Sequence, residues 1–553
     1  VNDLMVVGIF SSMVSLLLMP LAIKLSFLVG AVDRPDSRKV HSKAMPRLGG
    51  LSIVGSLLIT LTWFVEITPA IQGVLAGLIV VFLTGLADDV WQISPKLKFI
   101  GEIIGVSLFV WISGASLTNL GNIFGFGVIE TGWLAIPLTI VAMVGVINAL
   151  NLSDGLDGLA SGLATIALLF FGFFAFKAGY EDCFLITITL FFALIGFLFH
   201  NHHPAKIFMG DSGSLSLGFL LAALAVLLVQ SGDTIIRPVS PVSMALILAV
   251  PIMDTLLVMG RRIAHGESPF LPDKTHLHHR LLNIGIPHPG VVGVLYAVMI
   301  AMGIFSVEFR LQPDWAQLLL GLTGLSLVYG MIVAQQRAGL KVTVKWEPRQ
   351  GKDDGKGIYS KLTELSGKSI PVVTWLIPLF FVPLVLLVDP PSGKLLGSTV
   401  LVVIFCLMLY PWGSSAERTG WCHGIFYLLC FVLFLALNVS AHGWVPDYLK
   451  YGTLLLLLWV IFKLAFKRHG RIFLTSGFEI MVITMVAILP WLAEQVEMIP
   501  VEFLGLYLSV AVESFVWLFA LKIIIRRQPH RNTVLMLCFS GLLIILTSRG
   551  LLG

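Results

Sequence analysis

The stretch "VFLTGLADDVWQISPKLKF" (residues 81–99) is an apolar run that stops at two adjacent acids, Asp88 and Asp89. It gives way, through Lys96 and Lys98, to a second apolar run. A run closed by charge in this way reads as the end of a bilayer-spanning helix, which needs about 20 apolar residues. The pattern recurs along all 553 residues, of which 57% are hydrophobic and only 12% charged, with a mean hydropathy of +0.94. Soluble domains carry roughly 25% charge, so this chain lacks the polar surface to cover a water-soluble globule. A closed membrane barrel would show alternating segments of about ten residues, and the sequence shows none. The expected fold is all-α, a polytopic transmembrane helical protein.

Working outward from 81–99, the expected spans of a first region are 4–30, 48–67, 70–87, 99–113, 133–150, 158–176, 184–200, 214–230, 241–260, 290–308 and 315–335, eleven in all. The first reads as a retained helix, because it lacks the basic lead and small-residue cleavage site of a signal peptide. A polar segment, 336–370, reads as a cytoplasmic linker. About seven further spans follow, near 371–388, 396–411, 421–441, 451–466, 474–492, 503–524 and 533–548. The expected organisation is thus a core at 1–335, a linker at 336–370 and an additional membrane domain at 371–553. The five cysteines (Cys183, Cys406, Cys422, Cys430, Cys538) are scattered, so they indicate neither a zinc site nor a disulfide framework.

Basic residues crowd alternate connections: Arg34, Arg38, Lys39, Lys43 and Arg47 in one, Lys96 and Lys98 in the next, then Lys206, then Arg261, Arg262, Lys274 and Arg280. The positive-inside rule puts these loops in the cytoplasm. Asp88, Asp89, Asp154, Asp157, Asp211 and the histidines at 276–279 fall on that same side, from four separate loops.

Asp154 and Asp157, in "NALNLSDGLDGLASG" (148–162), are three residues apart and would share one face of a helix. Asp211 opens a helix in "IFMGDSGSLSLG" (207–218), where an N-cap role is also open to it. Carboxylates without cysteine suit a hard cation such as magnesium, which takes oxygen ligands and bridges to phosphate. Neighbouring lysines and arginines suit phosphate oxygens. The loop "SPFLPDKTHLHHRLL" (268–282) offers His276, His278 and His279, either to zinc or, with Arg280, to a diphosphate. "HNHHPAK" (200–206) reads as an interfacial turn rather than a second metal site.

Taken in order, the DD pair, the N-x-x-N-x-x-D-G-x-D-G-L, F-M-G-D-S-G-S and H-x-H-H loops resemble the polyprenyl-phosphate N-acetylhexosamine-1-phosphate transferases. The resemblance covers about residues 1–335. The "SPFLPDKTHLHHRL" and "DRPDSRKVHSKAMPRLGG" segments look more like the WecA/TagO branch than the MraY branch, which carries three consecutive histidines. The resemblance implies an enzyme of the bacterial cytoplasmic membrane, with its site on the cytoplasmic side. It would move a sugar-1-phosphate, N-acetylglucosamine-1-phosphate by preference, from a UDP-sugar to undecaprenyl phosphate and release UMP. This is a first membrane step of cell-envelope polysaccharide synthesis, as in cell wall or lipopolysaccharide O-antigen formation. The implied partners are the UDP-sugar, undecaprenyl phosphate and the bilayer, with no nucleic acid; a homodimer is left open.

The same resemblance implies site roles. Asp211 and Asp157 would hold magnesium, or manganese in its place. Asp88 and Asp89 would lie near the lipid phosphate, with Asp88 as base or orienting group, and Lys98 would hold phosphate. Asn151 and Asp154 would shape the nucleotide side, and Phe208 would stack on uracil. His276, His278 and His279, with Arg261 or Arg262, would bind diphosphate and sugar. Four rivals stand beside this reading: an MraY-type phospho-muramoyl-pentapeptide transferase, a transporter, a prenyl synthase suggested by the adjacent aspartates and a non-catalytic scaffold. A transporter path would place ionisable groups at mid-membrane, whereas these acids sit in loops on one face. Residues 88–92, "DDVWQ", also fail the D-D-x-x-D pattern of prenyl synthases.

Overall fold

The computed structural model describes residues 2–34, 44–230, 239–267, 275–338, 358–387, 445–465 and a few positions between 488 and 524. Among these residues nine helices are long and apolar enough to cross a membrane, or ten if one bent pair counts as a single span. The protein is an all-α, multi-pass membrane protein. Among the described residues the sheet is an antiparallel pair of two-residue strands, β1 (Val32–Asp33) and β2 (Met45–Pro46).

The chain divides into two compact units near Val344. In the first, α1 (Asn2–Val29), α2 (Gly50–Phe64), α3 (Pro69–Trp91), α4 (Pro95–Ser113), α5 (Ala135–Ser153), α6 (Leu159–Ala178), α7 (Glu181–Asn201) and α8 (Gly210–Gln230) follow the expected spans closely. So do α12 (His288–Glu308) and α13 (Asp314–Arg337). The expected span 241–260 is not one straight helix: it is broken into α9 (Pro241–Ile247) and α10 (Ala249–Ala264), bent by 80°. Pro251 explains the break, since it has no N–H to bond the Ile247 carbonyl and its ring crowds that oxygen. A short helix, α11 (Leu277–Asn283), carries the histidines.

The middle of the first unit is α8, in which every residue from Ser212 to Leu224 is buried. It packs against α3 and α5. Lipid tails are as apolar as leucine, so helix association in a bilayer rests on close packing rather than on expulsion from water. Gly85 of α3 shows this: a Cβ there would press on the backbone of Asp211 and Ser212. That approach brings the 88–89 lip of α3 to the first turn of α8.

The second unit contains α14 (Ile358–Leu387) and α15 (Val445–Ala465). The helix α14 begins inside the polar stretch 336–370, so the structure shortens the non-helical part of that stretch. Lys463 is buried and donates to the Ser366 carbonyl and, at 3.3 Å, to its hydroxyl; Trp459 donates to Ser369 Oγ at 2.9 Å. Glu513 is also buried. The expected spans 396–411, 421–441 and 533–548 lie outside the described residues, as do Arg38, Lys39, Lys43 and Lys274.

Candidate active site

Consecutive residues on a helix point about 100° apart, and this separates the two acids that close α3. Asp89 turns inward. Its side chain has no exposed surface, and its two oxygens accept from the backbone N–H groups of Asp211 (2.8 Å) and Ser212 (2.9 Å). These N–H groups belong to the first turn of α8 and have no partner within their own helix. A carboxylate there also meets the positive end of the helix dipole. Asp89 is therefore a cap supplied from another helix, a role the sequence did not show. The same contact removes the N-cap reading of Asp211, because the cap role is already filled.

Asp88 turns outward and is half-buried, with its carboxyl in hydrogen-bond contact with that of Asp211. Lys98, one turn into α4, donates to Asp211 Oδ2. Asn151 of α5 donates to Asp211 Oδ1 at 3.3 Å and to Ser214 Oγ at 2.7 Å. Arg47 reaches both Asp89 (3.5 Å) and Asp211 (3.8 Å). Four elements thus meet at Asp211: the α3 lip, the α4 start, the α5 end and the segment after β2. Asp154, just past α5, lies within electrostatic reach of Asp211, Asp89 and Asp157. Burial and these like charges push its pKa up to about 7, against the pull of Arg47.

A stability prediction follows, with Asp154→Asn melted against wild type in chelator. A raised carboxyl pKa stabilises the fold at pH values below the ordinary 3.8, and this contribution is lost as the pH rises through about 7. Asp154→Asn should therefore melt above wild type at pH 8, and the gap should narrow towards pH 5. A gap that does not change with pH would refute the assignment.

Asp157 stands apart from Asp211. Its Oδ2 accepts from His203 Nδ1 (2.8 Å) and from the Ala205 N–H (3.1 Å), and its own N–H donates to His288 Nε2 at 3.2 Å. Burial would raise the Asp157 pKa, but these hydrogen bonds and the two histidines outweigh it and hold the carboxyl below its ordinary value. The "HNHHPAK" turn therefore contributes to the site through His203. His203 lies in the segment expected to be only an interfacial turn, and His288 has no motif around it in the sequence.

The histidine loop is also rearranged relative to expectation. His276 Nδ1 bonds Asp254 Oδ2 at 2.9 Å, while Asp254 Oδ1 accepts from the Leu277 N–H (2.8 Å) and the Tyr329 hydroxyl (3.1 Å). His278 is buried against Gly155, and burial pushes its pKa down to about 3, so the ring is neutral. His276 and His278 thus brace the 154–157 turn and the loop itself, and of the three only His279 is partly exposed. Arg262 is buried and Arg261 exposed. Phe208 holds the chain by its backbone: its N–H donates to Pro46 and its carbonyl accepts from Gly49. The signal for Asp254 was present in the sequence, since an acid inside "VPIMDTLLVMG" needs a partner.

The donors around Asp211 fit a hard divalent cation. Two carboxylates in hydrogen-bond contact must share a proton or a cation, and the surrounding atoms are oxygens and amine or amide nitrogens rather than sulfur. Asp157, committed to His203 and Ala205, makes no hydrogen bond into that group.

Residues 71–229, which hold the acids of α3, the 154–157 turn and Asp211, match the family model described as glycosyl transferase family 4. A probable undecaprenyl-phosphate N-acetylglucosaminyl 1-phosphate transferase of Bacillus subtilis (strain 168) is 35% identical over 316 residues, 57% of this chain and 87% of the relative. A decaprenyl-phosphate N-acetylglucosaminephosphotransferase of Mycobacterium tuberculosis is 35% identical over 323 residues, 53% of this chain and 80% of the relative. An undecaprenyl-phosphate alpha-N-acetylglucosaminyl 1-phosphate transferase of Yersinia pestis is 30% identical over 318 residues, 56% and 86% respectively. With the motifs in order and those motifs gathered at one end of the helices, the chain belongs to glycosyl transferase family 4.

Proposed function

We propose that the protein transfers N-acetylglucosamine 1-phosphate from UDP-N-acetylglucosamine to undecaprenyl phosphate, releasing UMP, at the cytoplasmic face of a bacterial membrane. The observation that supports this most is the cluster of Asp88, Asp211, Lys98 and Arg47 at the lip of apolar helices. A lipid carrying a phosphate can there keep its tail in the bilayer and its charge among fixed charges. The relatives' names favour N-acetylglucosamine over the muramoyl-pentapeptide donor of the MraY branch.

The chemistry is in-line displacement. A lipid-phosphate oxygen attacks the sugar-bearing phosphorus, the bond from that phosphorus to the UMP oxygen breaks, and UMP carries the electron pair away. A phosphate monoester has a second pKa near ~6, so the nucleophile is largely dianionic at neutral pH and needs no strong base. Positioning and charge neutralisation carry most such reactions. Lys98 and Arg47 hold phosphate oxygens, and Asp88 orients the acceptor. Asn151 keeps Asp211 in place, and Asp89 anchors the helix that presents it. Asp211, with Asp88, would hold magnesium, which when bound would neutralise the diphosphate charge.

The test is UMP release by purified full-length protein in nanodiscs with undecaprenyl phosphate and a panel of UDP-sugars. Release is expected with UDP-N-acetylglucosamine, and only when acceptor and magnesium are present. Silence with every UDP-sugar, or turnover independent of the lipid, would overturn the reading. A further prediction concerns the division near Val344. The three relatives described above align with just over half the chain, so a protein ending at Val344 should insert and keep at least about half of its transfer rate, independent folding being usual for compact units. A well-folded but inactive truncation that residues 345–553 restore in trans would show that the second unit is catalytic.

A further inference from the structure

Two histidines, His203 and His288, stack beside Asp157, and what they do there rests on the transfer reaction proposed above.

The proton positions follow from the partners. Ionised Asp157 can only accept, so His203 Nδ1 is the donor to Asp157 Oδ2 at 2.8 Å. His288 accepts the Asp157 N–H on Nε2, so that nitrogen is bare, while its buried Nδ1 meets no partner among the described residues. The two rings stack with centroids 4.3 Å apart and planes 25° from parallel. One histidine therefore grips the carboxylate and the other the backbone of a single residue, and each limits the other's movement. Both Asp157 side-chain bonds fall on Oδ2; Oδ1 takes part in neither.

The turn has its own supports. Gly158 N–H and Ser161 Oγ donate to Asn201 Oδ1 (3.1 and 2.9 Å), Asn201 Nδ2 donates to the Ile207 carbonyl (2.9 Å), and Tyr296 donates to the Gly158 carbonyl. None of these involves His203. Removing His203 would leave the backbone held and take from the carboxylate its one side-chain hydrogen bond, leaving only the Ala205 N–H on Oδ2. We propose that His203, stacked on His288, is a positioning residue for the transfer reaction, locking the Asp157 carboxylate in one rotamer with Oδ2 spent and Oδ1 kept for the substrate side. Ring placement by a second group is how ligating and catalytic side chains are commonly oriented.

The experiment compares His203→Ala, His203→Asn, Asp157→Asn and the double variant Asp157→Asn/His203→Ala, full-length in nanodiscs, by UMP release and thermal melting. Asparagine places an amide N–H near the position of the ring Nδ1, so it can rescue the hydrogen bond but not the ring. His203→Ala should lower kcat at least about tenfold with its melting temperature near that of wild type. His203→Asn should recover to within about threefold, and the double variant should be no slower than Asp157→Asn alone, because both changes act through one carboxylate. An active wild type whose His203→Ala variant runs at full rate, or whose His203→Asn variant is as slow as His203→Ala, overturns this inference alone. So does a loss that only follows a fall in melting temperature. A wild type silent with every UDP-sugar overturns the transfer reading and this inference with it.

Discussion

Asp211→Asn should abolish transfer while leaving the protein folded. Asparagine keeps the shape and the oxygen that accepts from Asn151, but removes the charge that faces Lys98, Arg47 and Asp88. A metal-held diphosphate draws several kcal/mol of stabilisation in the transition state from such a charge. At about 1.4 kcal/mol per tenfold, the expected loss in kcat is on the order of a thousandfold. UMP release and a melting curve on the same preparation test it. Near-normal release at saturating magnesium would remove Asp211 from the site, and a collapsed melting curve would move it to the fold.

Gly210→Ala should be nearly as damaging although it replaces no charged residue. Gly210 has φ +69°, the left-handed region, where an L-residue is strained by roughly 1–2 kcal/mol. A Cβ there would also collide with the Arg47 carbonyl and the Asp89 carboxylate. The carbonyl belongs to the backbone and cannot swing aside. Relief must displace the cap, the arginine or the first turn of α8, and each of these positions Asp211. The expected destabilisation is about 3 kcal/mol or more, in the range reserved for backbone strain combined with loss of a cap. Gly145→Ala is the control: a Cβ at that helical position meets nothing, so it should be neutral or slightly stabilising. Melting temperatures of the two variants separate the cases, and equal behaviour would refute the argument.

How much of the site the sequence carried differs from residue to residue. Asp211, Asp88, Lys98 and Asn151 were legible, because charge or amide at the end of an apolar run has to be used. Asp89 was legible as present but not as a cap. The 88–89 pair looks symmetrical in one dimension and is divided only by the 100° turn of the helix. His276 and His278 carried a strong local pattern and were read as ligand-binding; burial turned them into supports for Asp254 and the 154–157 turn. His203 sat in a segment read as an interfacial turn, since nothing within that segment shows that Asp157 will lie against it.

The sequence alone determined the membrane class and the order of the spans of the first unit. Hydropathy and charge act as local sums along the chain, and the bilayer reads those sums directly. Only the tertiary structure decided which acid caps and which faces the cleft, that α9 and α10 are two helices bent by 80°, and that Asp157 belongs to two histidines. The bonds that settle these matters join residues far apart in the chain, as Asp89 joins Asp211 across 122 positions. A hydrogen bond acts over about 3 Å, and partners so distant come within that reach only once glycine-lined helices have packed.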